Sequence, residues 1–206
     1  SAFPVTTVLY DIALPVWRLF RDKSGLDVAT GQWAFLDAFV RGRLFQRIGY
    51  LRPGLPTVML VVMPGSASEF EILSVAALIV EAEANVTYVP VMSSYAELTA
   101  IAERSACDAL VLYGDHALDG DALSKALPRM EQALGCPVAI VGPVCEVQSV
   151  ELEAAGVHIL GAYGHLKGKR GISGNVQNYT MLVILYKLSI LACSKCEAMN
   201  YSCALR

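Results

Sequence analysis

The spacing of apolar residues changes character near residue 57. Before that point they recur at helical intervals; after it they gather into short, near-continuous runs separated by amphipathic stretches. Residues Val5–Phe20 carry apolar groups at Val8, Leu9, Ile12, Ala13, Val16, Leu19 and Phe20, which predicts a helix. Arg21-Asp22-Lys23-Ser24-Gly25 breaks it, and a second helix is predicted from Asp27 to Ile48, with Val28, Gly31, Phe35, Ala38, Phe39 and Leu44 on one side. The Pro- and Gly-punctuated linker from Tyr50 to Pro56 closes this helical cap segment, residues 1–52.

Five strand-like runs follow, at Thr57–Met63, Val86–Val91, Ala109–Tyr113, Val138–Gly142 and Val157–Leu160. The stretches between them predict helices from Ala67 to Ala84, Tyr95 to Arg104 and Asp121 to Leu134, and a short one over Val147–Ala155. Val/Ile/Leu runs alternating with amphipathic helices predict an α/β domain, residues 53–166, with a parallel sheet covered on both faces. Five such strands suit the doubly wound, flavodoxin-like order, whose switch point lies between strands one and three. Residues 167–206 read differently. A basic joint, Lys167–Gly171, leads to an apolar helix candidate, Tyr179–Cys193, which is either a docking helix or an extension foreign to the domain.

Of the 206 residues 55% are hydrophobic and 17% charged, so a sizeable core is expected and extensive disorder is not. A net charge of −3 leaves no electrostatic footprint for DNA or RNA, although binding to a DNA-binding protein remains open. The longest apolar run, Met181–Leu191, is interrupted by Lys187 and too short for a bilayer. The N-terminus shows neither a basic n-region nor a cleavage signal, and with six cysteines read as thiols the expected compartment is a reducing cytoplasm.

Candidate chemistry gathers at the strand C-termini. The loops there are Pro64–Glu69, with Gly65, Ser66 and Ser68; Tyr113-Gly114-Asp115-His116; Gly142-Pro143; and Tyr163-Gly164-His165. Small residues let a ligand approach the backbone, and this edge is where doubly wound folds bind ligands. Turns of this kind are also what any parallel sheet requires. His116 and His165 fall at the edge and could ligate a metal, whereas His158 falls inside strand five and reads as structural. Trp33 is either a core residue of the helical packing or the roof of a pocket for a flat ligand. Cys193-x-x-Cys196 with Cys203 lacks the fourth ligand of a zinc site. No Gly-x-Gly-x-x-Gly, Walker or Gly-x-Ser-x-Gly motif occurs, so a non-catalytic role is expected. Asp119 or Asp121 should cap the helix that follows.

The layout resembles cobalamin-binding domains, which pair a small helical bundle with a five-stranded doubly wound domain. Gly25–Thr30 through Val40–Leu44 resembles the last bundle helices, and Pro56–Gly161 resembles the α/β half. The family's loop after strand one carries Asp-x-His-x-x-Gly, where this chain has Ser66, Ser68 and Glu71 in register. Ser68 thus stands in place of the cobalt-ligating histidine, and Glu71 in place of the glycine that gives the corrin tail room. Gly31-Gln32 replaces the Glu-His pair facing the upper corrin side, and Gly142-Pro143 replaces a Gly-Gly. Together these departures argue against tight base-off cobalamin binding.

In that divergence the chain is similar to the SCHIC domains, described as sensors containing heme instead of cobalamin. They occur in photosynthesis antirepressors that sense light and redox state. The resemblance implies heme or another tetrapyrrole as ligand, His116 as the metal ligand, and Trp33, Gly65, Ser66, Ser68, Tyr113, Gly114, Gly142 and His165 as further binding residues. It implies a transcriptional repressor or other regulatory protein as partner. A cobalamin-binding carrier or photoreceptor domain and a cofactor-free interaction domain are the alternatives. The start inside what reads as a truncated bundle suggests a piece of a longer sensor.

Overall fold

The computed structural model describes residues 7–22, 27–66, 69–90, 94–105 and 107–161. Its described residues fall into two compact units, one within Ser1–Leu55 and Ser68–Val86, the other within Pro56–Ala67 and Thr87–Arg206.

The first unit is helical. A π-helical segment, Thr7–Ala13, runs into α1 (Leu14–Asp22), and α2 (Asp27–Ile48) packs against both α1 and α3 (Glu69–Glu81). Its centre is aromatic: the Trp17 indole stacks on Phe70 at 4.9 Å between ring centroids, and Trp33 tilts against Trp17 at 6.2 Å. Two polar ties close the packing. Buried Asp37 accepts a hydrogen bond from Trp17 Nε1 at 2.8 Å and is ion-paired with Arg41. Buried Glu71 is ion-paired with Arg18 at 2.5 Å. The turn out of this unit has the expected punctuation: Leu55 N–H donates to Arg52 O across Pro53-Gly54, with Gly54 at φ +82 as a type II turn demands. The buried Asn85 amide holds that turn, accepting from Arg52 N–H and donating to the carbonyls of Arg52 and Leu55.

The helices are where expected, but their buried faces are not those gathered from apolar spacing. In the first helical stretch Leu9, Leu14 and Trp17 are buried, while Val8, Ile12, Val16 and Leu19 are exposed. In α2 the inward face is Asp37, Leu44 and Ile48; Phe35 and Phe39 are 75% and 53% exposed and stack on each other. Residues 37, 44 and 48 lie on one stripe of a 3.6-residue helix, and 35 and 39 lie on the opposite one. Leu44 therefore never shared a face with the phenylalanines.

The α/β half is as expected: an all-parallel five-stranded sheet in the flavodoxin-like order β2-β1-β3-β4-β5. The strands are β1 (Thr57–Val62), β2 (Asn85–Val89), β3 (Ala109–Tyr113), β4 (Val138–Val141) and β5 (His158–Gly161). Side chains of β1, β3 and β4 are buried almost throughout, which explains their continuous rather than alternating apolar pattern. The core of the second unit is built on Met59, Val61, Leu110, Leu112, Met130 and Ile140.

Of its helices, α4 (Tyr95–Arg104) has the predicted bounds and is capped by Ser94. The helix predicted over residues 121–134 instead begins as a π-helical turn, Ala122–Ala126, and becomes α5 (Leu127–Ala133), with Pro128 in the first turn, where its missing N–H is tolerated. The helix predicted over 147–155 divides at Gln148 into α6 (Val144–Val147) and α7 (Ser149–Ala154). Among the described residues no helix is long and apolar enough to cross a membrane.

Candidate functional site

In a parallel sheet the strands all end at one edge, and the 2-1-3-4-5 order makes β1 and β3 neighbours, so the loops that follow them meet. After β1 the chain turns through Met63-Pro64-Gly65-Ser66, where Ser66 N–H donates to Met63 O at 3.1 Å and Gly65 takes φ +86. After β3 it runs through Gly114, Asp115 and His116. The two loops are joined by Asp115 N–H donating to Ser66 Oγ at 3.2 Å.

His116 stands on this junction with its side chain about half exposed. Its Nδ1 lies 2.7 Å from Asp115 Oδ1. A carboxylate only accepts, so Nδ1–H is the donor in this contact, and a neutral ring so held has its lone pair on Nε2. The Nε2–Cε1 edge of the ring lies over Gly65, where an added Cβ would come within 3.1 Å of Nε2 and 3.0 Å of Cε1. Gly65 therefore serves twice: it supplies the positive φ of the turn and makes room for the imidazole edge that rests against it.

Beneath this outer layer the edge is tightly packed. Tyr113 is fully buried, and both Gly114 and Gly142 are buried beside it. A Cβ on Gly114 would come within 2.9 Å of Val144 Cγ1 and 3.2 Å of Met63 Sδ. Gly114 N–H donates to Val141 O, and Gly114 O accepts from Val144 N–H, which locks the end of β3 to the turn after β4.

The loop bearing His116 is anchored at its far end as well. Gln148, in the break between α6 and α7, accepts from Leu118 N–H at 2.6 Å and donates to Leu118 O at 3.0 Å. Asp119 Oδ1 accepts from Ala122 N–H at 2.7 Å, so Asp119 is the capping residue, while Asp121 pairs with Lys125. Burial, and then the Asp119 carboxylate, push the Tyr95 phenol above its ordinary value and keep it protonated.

Of the residues singled out in the sequence, Gly65, Ser66, Gly114 and His116 meet at the β1/β3 edge, with Tyr113 and Gly142 forming its buried support. Trp33 belongs to the helical unit, where its Nε1 is buried and has no hydrogen-bond partner among the described residues. Ser68 and His165, like the Cys193, Cys196 and Cys203 tail, lie outside the described residues. Glu71 is turned to Arg18 in the helical unit.

Asp115 was named in the sequence as part of the loop, but not as the partner of the His116 ring, although an Asp directly before a loop histidine can reach it. Gln148 went unremarked and had no local signal, because its role depends on where α6 ends. Among the described residues no three His, Cys, Asp or Glu side chains converge as a protein-only metal cage requires. A scan against protein-family models finds no match, and a search of curated proteins finds none either.

Replacing Gln148 with Leu removes both bonds to Leu118 and strands a part-buried N–H and carbonyl. The expected cost is about 1–3 kcal/mol, read as a lower denaturation midpoint and faster hydrogen exchange at the Leu118 amide. Unchanged exchange at Leu118 would show that Gln148 does not hold the loop.

Proposed function

We propose that this chain is a non-catalytic sensory or regulatory domain of the cobalamin-binding-like type. In this reading it takes heme or another tetrapyrrole at the β1/β3 edge through His116 and acts on a transcription regulator. One observation carries the reading: the Asp115–His116 pair beside Gly65. Histidines that ligate metals characteristically donate their second ring N–H to a carboxylate, which fixes the tautomer and raises the basicity of the ligating nitrogen. Here Nδ1 is so engaged, which leaves Nε2 as the ring nitrogen for a metal, beside a glycine whose missing Cβ gives the ring edge room at the turn. The donor set therefore fits an iron porphyrin, which needs only one or two axial ligands from the protein.

Bound heme would supply a redox-active, ligand-binding iron; the chain's own part is to hold it and convert its state into surface affinity. That conversion requires the partner to bind the loaded and unloaded forms unequally. His116, Asp115, Gly65 and Ser66 would hold the group, with Gln148 fixing the loop that carries the imidazole.

A second reading, a cofactor-free interaction domain, is favoured by a different observation. The helical unit exposes Val8, Ile12, Val16 and Leu19 along one helical stretch, and the Phe35–Phe39 pair on another. Apolar side chains grouped in this way commonly mark protein contacts.

A heme titration followed by absorbance separates the two. The expected result is a saturable Soret shift that is lost in His116→Ala and requires roughly 10–100-fold more heme in Asp115→Ala. A shift that survives His116→Ala would move the axial ligand to another residue. No saturable shift would overturn the tetrapyrrole reading and leave the interaction domain. Reconstitution with cobalamin, read by its own spectrum, tests the carrier or photoreceptor alternative in the same format.

A further inference from the structure

The sheet has a second edge, where strands begin, and two thiols meet there. Cys107 lies just before β3 and Cys136 just before β4, and their sulfurs are 3.9 Å apart, both on half-buried residues. The sheet register explains the meeting. Leu110 pairs with Val138, and Leu110 N–H donates to Pro137 O at 3.0 Å. Counting back along both chains sets Cys136 opposite Asp108, one residue from Cys107. Neighbouring strands are about 4.8 Å apart, so that offset corresponds to a Cα separation of about 6 Å, within the range that disulfides span. Cys145 makes the contrast: it is buried, and its thiol donates to Ile140 O.

We infer that Cys107 and Cys136 are a redox-responsive dithiol, a reversible disulfide site at the edge of the sheet opposite the His116 loops. Its reactivity is built in by the neighbours. The hydrogen bond from Cys136, helped by one from Ser105, outweighs burial and holds the Cys107 thiol at about 6. A lowered value favours the thiolate, the nucleophilic form, at Cys107, with the second sulfur beside it.

With a peroxide as oxidant the steps balance. The Cys107 thiolate attacks one peroxide oxygen, the O–O bond breaks, and the departing hydroxide takes up a proton to leave as water. The resulting Cys107 sulfenic acid is then attacked by the Cys136 sulfur, which gives up its proton as the S–S bond forms and a second water leaves. The two thiols lose two electrons and two protons; the peroxide gains them and becomes two waters.

Non-reducing peptide mapping of the full chain after limited hydrogen peroxide treatment tests this. The expected product is a crosslinked pair of peptides containing Cys107 and Cys136, two hydrogens lighter than the separate peptides and restored by dithiothreitol. Alkylation of Cys107 should rise with pH around a midpoint near 6, and that midpoint should move upward in Cys136→Ala, which removes the donor. Oxidation of Cys107 to sulfinic acid with Cys136 still reduced would overturn the inference. So would crosslinks confined to other cysteines, or an alkylation midpoint unmoved by Cys136→Ala.

Discussion

Gly142→Ala is expected to lower stability by about 2–6 kcal/mol, a large part of the 5–15 kcal/mol that holds a typical domain together. Two costs add. Gly142 sits at φ +113, a conformation that residues with a Cβ avoid, and holding Ala there costs about 1–3 kcal/mol. The new methyl would also fall 2.4 Å from Gly114 O and 3.1 Å from Tyr113 Cε2. Neither neighbour can yield easily: Gly114 is bonded to Val141 and Val144, and Tyr113 is fully buried. Relieving the overlap must therefore shift the end of β3, at about 1–3 kcal/mol for such overpacking. Gly120→Ala is the control, since a Cβ there meets nothing within 4 Å, and it should stay within about 0.5 kcal/mol of the parent. Denaturant melts of the three proteins give the comparison. A Gly142→Ala midpoint equal to that of Gly120→Ala would mean that the turn after β4 can re-route and is not the rigid base described above.

The sheet was legible because its signal is local and redundant. A strand buried on both faces is a run of apolar residues, and β3 emerges with the bounds its run predicts; β1 and β4 stop one residue short because Met63 and Gly142 are taken into turns. The helix faces were not legible, and the reason is chemical. Apolar residues occur all around α2, so periodicity offers several stripes without ranking them. Asp37 reads as a surface residue until its partners are known, and one of them, Trp17, is twenty residues away. At the candidate site the Gly and Pro positions announced the turns, and His116 announced a donor. The details that would make it a usable donor, the Asp115 contact and the Gln148 clamp, are matters of side-chain reach. The Cys107–Cys136 contact is further removed still, because it follows only from the β3–β4 register.

Asp37→Leu carries the other large expected effect, about 2–4 kcal/mol, because it removes one partner from a buried hydrogen bond and from a part-buried ion pair. Trp17 Nε1 would lose its acceptor in a place where water cannot substitute, since Trp17 is only 6% exposed. Leaving such a donor unsatisfied costs about 1–3 kcal/mol. Arg41 would lose its ion pair with Asp37 while still partly enclosed. Asp37→Asn separates these contributions: its amide oxygen can still accept from Trp17, so only the charge is lost and the cost should fall to less than half that of Leu. Removing both partners in Asp37→Leu with Trp17→Phe should recover part of the loss, because the indole N–H is then no longer left without its acceptor and the Phe ring can still stack on Phe70. Denaturant melts followed by tryptophan fluorescence give the cycle, with Trp33 reporting where Trp17 is absent. Equal costs for Asn and Leu would place the whole effect on the Arg41 pair. The expected order instead makes Asp37 the residue that orients α2. A helix with apolar side chains on every face has no hydrophobic reason to prefer one inward stripe. By turning its carboxylate to the Trp17 indole it commits Leu44 and Ile48 to the core and leaves Phe35 and Phe39 outside, so one buried polar contact determines which apolar surface the helical unit offers.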